Sequence, residues 1–224
     1  MSHPCNTARC EAAYRLAIFD FDGTLCAINS WHIFLKWLLS ECRISSARVA
    51  LTLAARGAGI VSSAALKNVA LGRLHRMPRS EVDAVGIRLY QRSIRPRLLP
   101  DAINALKQRQ ERGYRVLVAS GAFDFLLQPF CAEYGIREWI ATQPAYDGDF
   151  CLGRLDGLET RGIEKRRRLL EYLAGQPVAW LDSVAYSDEL SDLPLLTLVG
   201  TGYLVGNKIG EPVALPAGIR RGSW

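Results

Sequence analysis

Short apolar runs that end in polar residues recur along the chain and predict buried β-strands. The first covers residues 15–21, "RLAIFDF"; it contains Asp20, and Asp22 follows directly after it. It lacks a clean apolar and polar alternation, which is typical of a strand covered on both faces of a parallel sheet. Two later runs, "YRVLVAS" at 114–120 and "VAWLDSVAYSD" at 178–188, also end in serine or in acids. We therefore expect polar groups at the ends of several neighbouring strands.

Between residues 30 and 95 the apolar spacing changes to that of amphipathic helices. In "WHIFLKWLLSEC" the apolar positions recur every three or four residues. The segments "SSARVALTLAARG", "SSAALKNVALGRL" and "SEVDAVGIRLYQRS" follow, and each opens on serine, a favoured N-cap residue. The pattern predicts four helices and no strand in this part of the chain.

Beyond residue 95 the helices and strands alternate again. The segment "AYDGDFCLGRLDG" alternates and carries two Asp-Gly turn signals, so we expect a hairpin there. "DLPLLTLV" predicts a short helix, "WIATQ" a short strand and "TGYLVG" the last strand. Longer helices are predicted at Pro100–Arg112, Phe123–Tyr134 and Glu164–Ala174.

This order of elements predicts an α/β fold with a doubly wound, Rossmann-like parallel sheet and an inserted helical cap. Residues 1–14 form a polar N-terminal tail in this interpretation. Residues 15–29 and 96–224 form the α/β core, and residues 30–95 form the helical cap domain.

Composition and charge narrow the class of partner. The 224 residues carry 28 Lys and Arg against 22 Asp and Glu, a net charge of +6. A basic balance fits anionic partners, and without a nucleic-acid-binding motif we expect no nucleic acid. The six cysteines form no CxxC pair, and no signal peptide or uncharged run of roughly eighteen residues occurs. These features predict free thiols and a cytoplasmic protein.

The polar strand ends suggest a reaction. Carboxyl ends of parallel strands meet at one edge of an open sheet, where such folds bind ligands. Asp20, Asp22, Asp188 and Asp192 would then lie close to one another, and four ionised carboxylates need a cation. Hard oxygen ligands indicate Mg²⁺, and a nearby lysine would complete a site for phosphoryl transfer.

The same residues resemble the four motifs of the haloacid dehalogenase superfamily of phosphohydrolases. "DFDGTL" is similar to the first motif and "YSDELSDLPLL" to the fourth. Ser120 in "VLVASG" and Lys165 in "RGIEKRRRLL" resemble the second and third. The residues around these motifs are most similar to those of the phosphoserine-phosphatase-like branch, whose helical cap follows the first motif.

The resemblance implies a role for each matching residue. Asp20 would be the nucleophile and Asp22 the general acid and then base. Asp20, Asp22 (through its backbone carbonyl) and Asp188 would hold Mg²⁺, while Asp192 would hold Lys165 or a metal-bound water from behind. Gly23 would permit the turn that Thr24 helps to hold. The residues that would contact the substrate phosphate are Thr24, Ser120, Gly121 and Lys165.

The function implied is a Mg²⁺-dependent phosphomonoester hydrolase that forms an aspartyl-phosphate and acts on a small phosphate ester. A lipid phosphate phosphatase at a membrane surface is the alternative. The basic net charge and the apolar insertion, which contains several arginines, would suit peripheral membrane contact. A phosphotransferase and a non-catalytic scaffold also stay open. The sequence does not indicate an oligomeric state or cap residues that set specificity.

Some positions leave the site assignment or the substrate open. Arg166 competes with Lys165, and Asp182 competes with Asp188, although the Asp-x-x-x-Asp spacing favours Asp188. Asn29 stands where phosphoserine phosphatases usually carry a glutamate that grips the substrate amine. The resemblance therefore predicts the reaction better than it predicts phosphoserine as the substrate.

Overall fold

The computed structural model describes residues 12–41, 62–206 and 214–222. Most of the predicted tail, at residues 1–11, lies outside this part of the chain, as does the predicted helix in "SSARVALTLAARG". Tyr14 already belongs to the core, because its backbone forms a parallel bridge with Val178.

A six-stranded parallel sheet forms the centre of the structure. Its strands lie in the order β3-β2-β1-β6-β7-β8. The first strand, β1, therefore lies in the middle of the sheet, with β2 and β3 on one side and β6, β7 and β8 on the other. A separate antiparallel pair, β4 and β5, is the predicted hairpin. The strands are β1 (Leu16–Phe19), β2 (Arg115–Phe123), β3 (Glu138–Thr142), β4 (Pro144–Asp147), β5 (Phe150–Leu155), β6 (Val184–Ser187), β7 (Thr201–Val205) and β8 (Ile219–Gly222).

Both faces of this sheet are covered, which confirms the doubly wound α/β prediction. Ala17 and Phe19 of β1 point into one apolar cluster, whereas Leu16 and Ile18 point into the other. All four residues are buried, which explains why β1 reads as a continuous apolar run rather than an alternating one.

Seven α-helices are found in the described residues, and those that flank the sheet begin close to the predicted positions. Short 3₁₀ and π segments occur between them, including a π-helical turn at Tyr90–Ile94. The helices are α1 (Ser30–Ser40), α2 (Ser63–Leu71), α3 (Arg79–Leu89), α4 (Pro100–Glu111), α5 (Asp124–Glu133), α6 (Ile163–Tyr172) and α7 (Leu193–Leu196).

Helices α1 to α3 belong to the insertion between β1 and β2, and its described residues contain no strand. The hairpin packs against this insertion. The Leu155 N–H donates to Asn68 Oδ1 at 2.7 Å, the Arg76 N–H donates to the Cys151 carbonyl at 2.8 Å, and the Cys151 N–H donates to the Met77 carbonyl at 3.0 Å. The hairpin therefore packs against one side of the insertion, although it comes later in the sequence.

The prediction that "TGYLVG" is the last strand was wrong. β8 follows it and pairs in parallel with β7, from Gly202 opposite Ile219 to Val205 opposite Gly222. Its sequence, "IRRG", contains no apolar run, because an edge strand is largely exposed and its charges discourage pairing with another chain.

The contact between α3 and α5 leads to a stability prediction. Pro129 lacks the N–H that would bond the Phe125 carbonyl inside α5. Gly86 of α3 packs against that carbonyl so closely that an added Cβ would lie 1.8 Å from its oxygen. We expect Gly86→Ala to lower the free energy of unfolding by about 2–3 kcal/mol, measured by urea denaturation.

Gly72→Ala is the matched control, since a Cβ at Gly72 would meet its nearest neighbour at 3.9 Å. Its stability should equal or slightly exceed that of the wild type. Equal stability of the Gly86→Ala variant and the wild type would contradict the close approach of the two helices.

Candidate active site

Asp20 lies directly after β1, at the carboxyl edge of the sheet. Its N–H donates to the Tyr186 carbonyl at 2.9 Å, which extends the pairing of β1 with β6 by one residue. Its carboxylate Oδ1 accepts the Phe21 N–H at 2.7 Å, and the residue is only 5% exposed. Burial raises the pKa of Asp20 to about 7, against the opposing charge of Lys165.

A tight turn at Gly23 places Asp188 against the end of β1. Gly23 has φ +78°, and its N–H donates to the Cys26 carbonyl at 2.7 Å. A Cβ at Gly23 would lie 2.0 Å from Asp188 Oδ2. The buried Thr24 hydroxyl donates to Asp188 Oδ1 at 3.3 Å. We predicted that Thr24 contacts the substrate phosphate, but in this structure its hydroxyl bonds the Asp188 carboxylate.

The Asp22 side chain connects the turn to the insertion. Its Oδ1 accepts the Ser30 N–H and its Oδ2 accepts the Ser30 hydroxyl, both at 2.9 Å, at the first residue of α1. Burial raises the pKa of Asp22 to about 6, and the bonds from Ser30 oppose this shift. Near neutral pH its carboxyl can therefore both give and accept a proton.

Ser120 and Gly121 lie within β2, which continues to Phe123, and not at its end as the sequence suggested. The pairing of β2 with β3 is irregular here: Ala119 lies opposite Ile140, but Phe123 lies opposite Thr142. Residues 120–122 therefore form a bulge at the edge of the cavity. The Ser120 Oγ accepts the Ala122 N–H at 3.2 Å.

Lys165 is near the start of α6 and is almost completely buried between two carboxylates. Its Nζ lies 3.1 Å from Asp20 Oδ1 and 2.5 Å from Asp192 Oδ2. Asp192 is held in turn by the Ser187 hydroxyl at 2.7 Å. Burial alone would lower the pKa of Lys165, but Asp20 and Asp192 outweigh it and hold the ammonium charged.

The competing residues, Arg166 and Asp182, do not line the cavity described below. Asp182 is exposed in the 3₁₀ turn before β6. Arg167 pairs with Glu164 and Glu171, as expected of a solvated helix face. The Arg168 side chain is 17% exposed and donates to the Leu158 carbonyl at 2.6 Å.

A cavity of about 290 Å³ brings these groups together. Five predicted site residues line it, and neutral Asn29, which caps α1, lies on its wall. Asp188 and Thr24 lie behind the Gly23 turn, and Asp192 lies behind Lys165. The lining residues are Asp20, Asp22, Asn29, Trp31, His32, Ser63, Leu66, Lys67, Ser120, Gly121, Glu159, Arg161, Lys165 and Glu189.

Sequence reasoning missed an ion pair on the wall of this cavity. Lys67 Nζ lies 2.6 Å from Glu159 Oε1, and the two side chains are 6% and 14% exposed. A signal was present in the sequence, because Lys67 occupies the same face of α2 as the buried Ala70 and Leu71. A lysine on an apolar face needs a partner, and the sequence did not show which one.

The donor set at the strand ends fits Mg²⁺. In the described ranges no three His, Cys, Asp or Glu side chains lie close enough to form a metal site by themselves. The expected set of two carboxylates, Asp20 and Asp188, with the Asp22 carbonyl and waters consists of hard oxygens, as Mg²⁺ prefers. Repulsion from Asp192 and Asp22 contributes to the raised pKa of Asp20, and a cation would relieve it.

Comparisons with known proteins show the family to which the chain belongs. The family model for haloacid dehalogenase-like hydrolases matches residues 17–197. Protein CicA of Caulobacter vibrioides is 30% identical over 199 residues, 85% of this chain and 86% of that protein. A histidinol-phosphatase of Neisseria meningitidis serogroup C is 28% identical over 212 residues, 89% of each chain.

Solved structures show the same fold. A protein of unknown function from Bordetella pertussis Tohama I superposes with a TM-score of 0.79 at 25% identity, over 89% of this chain and 93% of that one. A substrate-bound phosphoserine phosphatase superposes with a TM-score of 0.61 at 19% identity, over 87% of each chain. In the part of the chain that the structure describes, no helix is both long and apolar enough to span a membrane.

Proposed function

This chain belongs to the haloacid dehalogenase-like hydrolases, and from that premise we propose that it is a Mg²⁺-dependent phosphomonoesterase that works through an aspartyl-phosphate on Asp20. One observation carries the proposal. The Lys165 ammonium lies between the carboxylates of Asp20 and Asp192 on the wall of a cavity that Ser120 also lines. Such an arrangement provides a nucleophile, a fixed positive charge and a hydroxyl donor for a phosphoryl group.

In the first step an Asp20 carboxylate oxygen attacks phosphorus, and the bond from phosphorus to the leaving oxygen breaks. The Asp22 carboxyl gives its proton to that oxygen, so that an alcohol leaves. Lys165 and the Ser120 hydroxyl stabilise the charge on the other phosphoryl oxygens. The raised pKa of Asp22, about 6, supports its role as the acid.

In the second step the Asp22 carboxylate removes a proton from a water molecule, whose oxygen attacks phosphorus. The bond between phosphorus and the Asp20 oxygen breaks, which releases phosphate and restores the carboxylate. Mg²⁺ held by Asp20, Asp188 and the Asp22 carbonyl would supply charge neutralisation for the phosphate and the nucleophile.

The size and polarity of the cavity favour a small substrate. A volume of about 290 Å³ is at the lower end for ligand pockets, and seven of the lining side chains are Asp, Glu, Lys or Arg. These features support a small phosphorylated metabolite over a lipid phosphate. The similarity to a protein named histidinol-phosphatase makes phosphorylated amino alcohols the first substrates to examine.

The test is a phosphate-release assay on a panel of phosphoserine, histidinol phosphate, sugar phosphates and phosphatidylglycerophosphate vesicles. We expect turnover of at least one soluble ester with Mg²⁺, and a fall of about 100-fold or more when EDTA removes the metal. Readdition of Mg²⁺ in excess over EDTA is the control and should restore the rate. Full activity in EDTA would contradict the metal requirement.

Other outcomes of the same panel separate the remaining hypotheses. Turnover of the vesicle substrate alone would favour the lipid phosphatase. Transfer of phosphate to an added alcohol in preference to water would favour the phosphotransferase. If no substrate is turned over, the non-catalytic scaffold would be favoured.

A further inference from the structure

The bulge at residues 120–122 contains a backbone carbonyl that lies outside the regular hydrogen-bond pattern of the sheet. The Gly121 carbonyl lies between the two paired positions of β2 and β3, where the register is irregular. It accepts two side-chain bonds instead, from Thr142 Oγ1 at 2.9 Å and from Lys67 Nζ at 2.6 Å. Thr142 belongs to β3 of the core, whereas Lys67 comes from α2 of the insertion.

Lys67 is itself held firmly. The residue is 5% exposed, and its ammonium contacts Glu159 Oε1 at 2.6 Å. The same carboxylate oxygen accepts the Ser63 hydroxyl at 3.3 Å, one turn earlier on α2. Burial lowers the pKa of Lys67, and Glu159 opposes that shift. A buried ammonium with two short contacts has a well-defined position, which a solvated lysine would not have.

The bonds to the Gly121 carbonyl fix the next peptide unit. The peptide between Gly121 and Ala122 is planar, so holding its oxygen also fixes the direction of the Ala122 N–H. That N–H donates to the Ser120 Oγ at 3.2 Å. With one lone pair of the Ser120 oxygen occupied in this way, the hydroxyl hydrogen is left to donate elsewhere, toward the cavity that Ser120 lines.

We propose that Lys67 is a positioning residue for Ser120, and that through it the phosphate-binding bulge of the core depends on the placement of α2 in the insertion. The proposal rests on the proposed function only in naming phosphate as the ligand of Ser120. Lys67 does not touch the phosphoryl group in this account. It acts through the Gly121 carbonyl, and Glu159 keeps it there.

A direct contact between Lys67 and the leaving group is the competing explanation, and the two differ in what they predict. A residue that binds the leaving group affects some substrates more than others and leaves inorganic phosphate binding unchanged. A residue that positions Ser120 affects every ester by a similar factor and weakens phosphate binding as well.

The test compares Lys67→Met and Thr142→Val with Lys36→Met, which removes an exposed lysine of α1. In the full-length protein we expect kcat/KM of Lys67→Met to fall by about 30- to 100-fold for two esters with unlike leaving groups. The inhibition constant of inorganic phosphate should rise by about 10-fold. Thr142→Val should shift both values in the same direction, and Lys36→Met should leave them unchanged.

Hydrogen exchange of the Ala122 amide provides a readout that needs no activity. We expect it to accelerate by about 10-fold or more in Lys67→Met and in Thr142→Val, and to stay as in the wild type in Lys36→Met. Unchanged exchange of Ala122 in Lys67→Met would overturn the proposal, as would a kinetic effect confined to one ester. A wild-type protein that hydrolyses none of the esters would count against the proposed function, and the Ala122 exchange would then decide the positioning role alone.

Discussion

Asp20→Asn is expected to abolish turnover, with a loss of kcat of roughly 10⁴-fold or more, because an amide oxygen cannot form the acyl-phosphate. Asparagine has the shape of aspartate and can still accept the Phe21 N–H that Asp20 Oδ1 accepts at 2.7 Å. Lys165 keeps its second partner, Asp192, at 2.5 Å. The fold should therefore be unaffected, and only the chemistry should be lost.

The thermal stability of the Asp20→Asn variant distinguishes a loss of chemistry from a loss of folded structure. Burial raises the pKa of Asp20, so its carboxylate costs desolvation energy in the folded protein. In EDTA the Asp20→Asn variant should thus unfold at the same temperature as the wild type or higher. Asp182→Asn, which changes an exposed acid in the 3₁₀ turn before β6, is the control and should keep full activity.

A trapping experiment identifies the nucleophile directly. After rapid acid quench of the wild type with a good substrate, we expect one added phosphoryl group on the peptide that contains Asp20, and none in the Asp20→Asn variant. Full turnover by that variant, or the phosphoryl group on another peptide, would remove Asp20 from its proposed role.

Lys165→Met is expected to have the next largest effect, on both activity and stability. Without the ammonium, the carboxylates of Asp20 and Asp192 lose the cation that lies 3.1 and 2.5 Å from them. We expect kcat/KM to fall by roughly 10³-fold, because a fixed charge at the phosphoryl group is missing in the transition state. Removing one partner of a buried pair should also lower the free energy of unfolding by about 3 kcal/mol.

Lys107→Met is the matched control, since Lys107 is an exposed lysine on a helix of the same core. It should change neither the rate nor the midpoint of urea denaturation. Adding Asp192→Asn to Lys165→Met should recover part of the lost stability but none of the lost activity, because it removes an unpaired buried charge without restoring the cation. Recovery of activity in the double variant would show that Lys165 acts only by holding the fold.

Much of the fold could be predicted because its signals are local. The apolar run of β1 and the amphipathic spacing of α1 follow from burial on two faces or on one. The edge strand β8 could not be predicted, because "IRRG" has no apolar pattern and pairs only where β7 offers a free edge. The bulge at residues 120–122 could not be predicted either, since register depends on the partner strand.

The candidate site, like the fold, could be predicted only in part. The order and spacing of its acids with Ser120 and Lys165 indicated phosphoryl transfer, because that chemistry needs those residue types. Lys67 and Glu159 were missed because they are 92 positions apart in sequence, and nothing local to either one indicates a contact of 2.6 Å.

The sequence by itself thus determined the candidate catalytic residues and the elements that carry them, because residue type and periodicity are properties of short segments. Only the tertiary structure decided how Lys165 is shared between Asp20 and Asp192, and where Thr24 points. It also decided that a helix of the insertion holds the Gly121 carbonyl. The physical reason is that these contacts join segments that come together only when the sheet is assembled and the insertion is packed onto it.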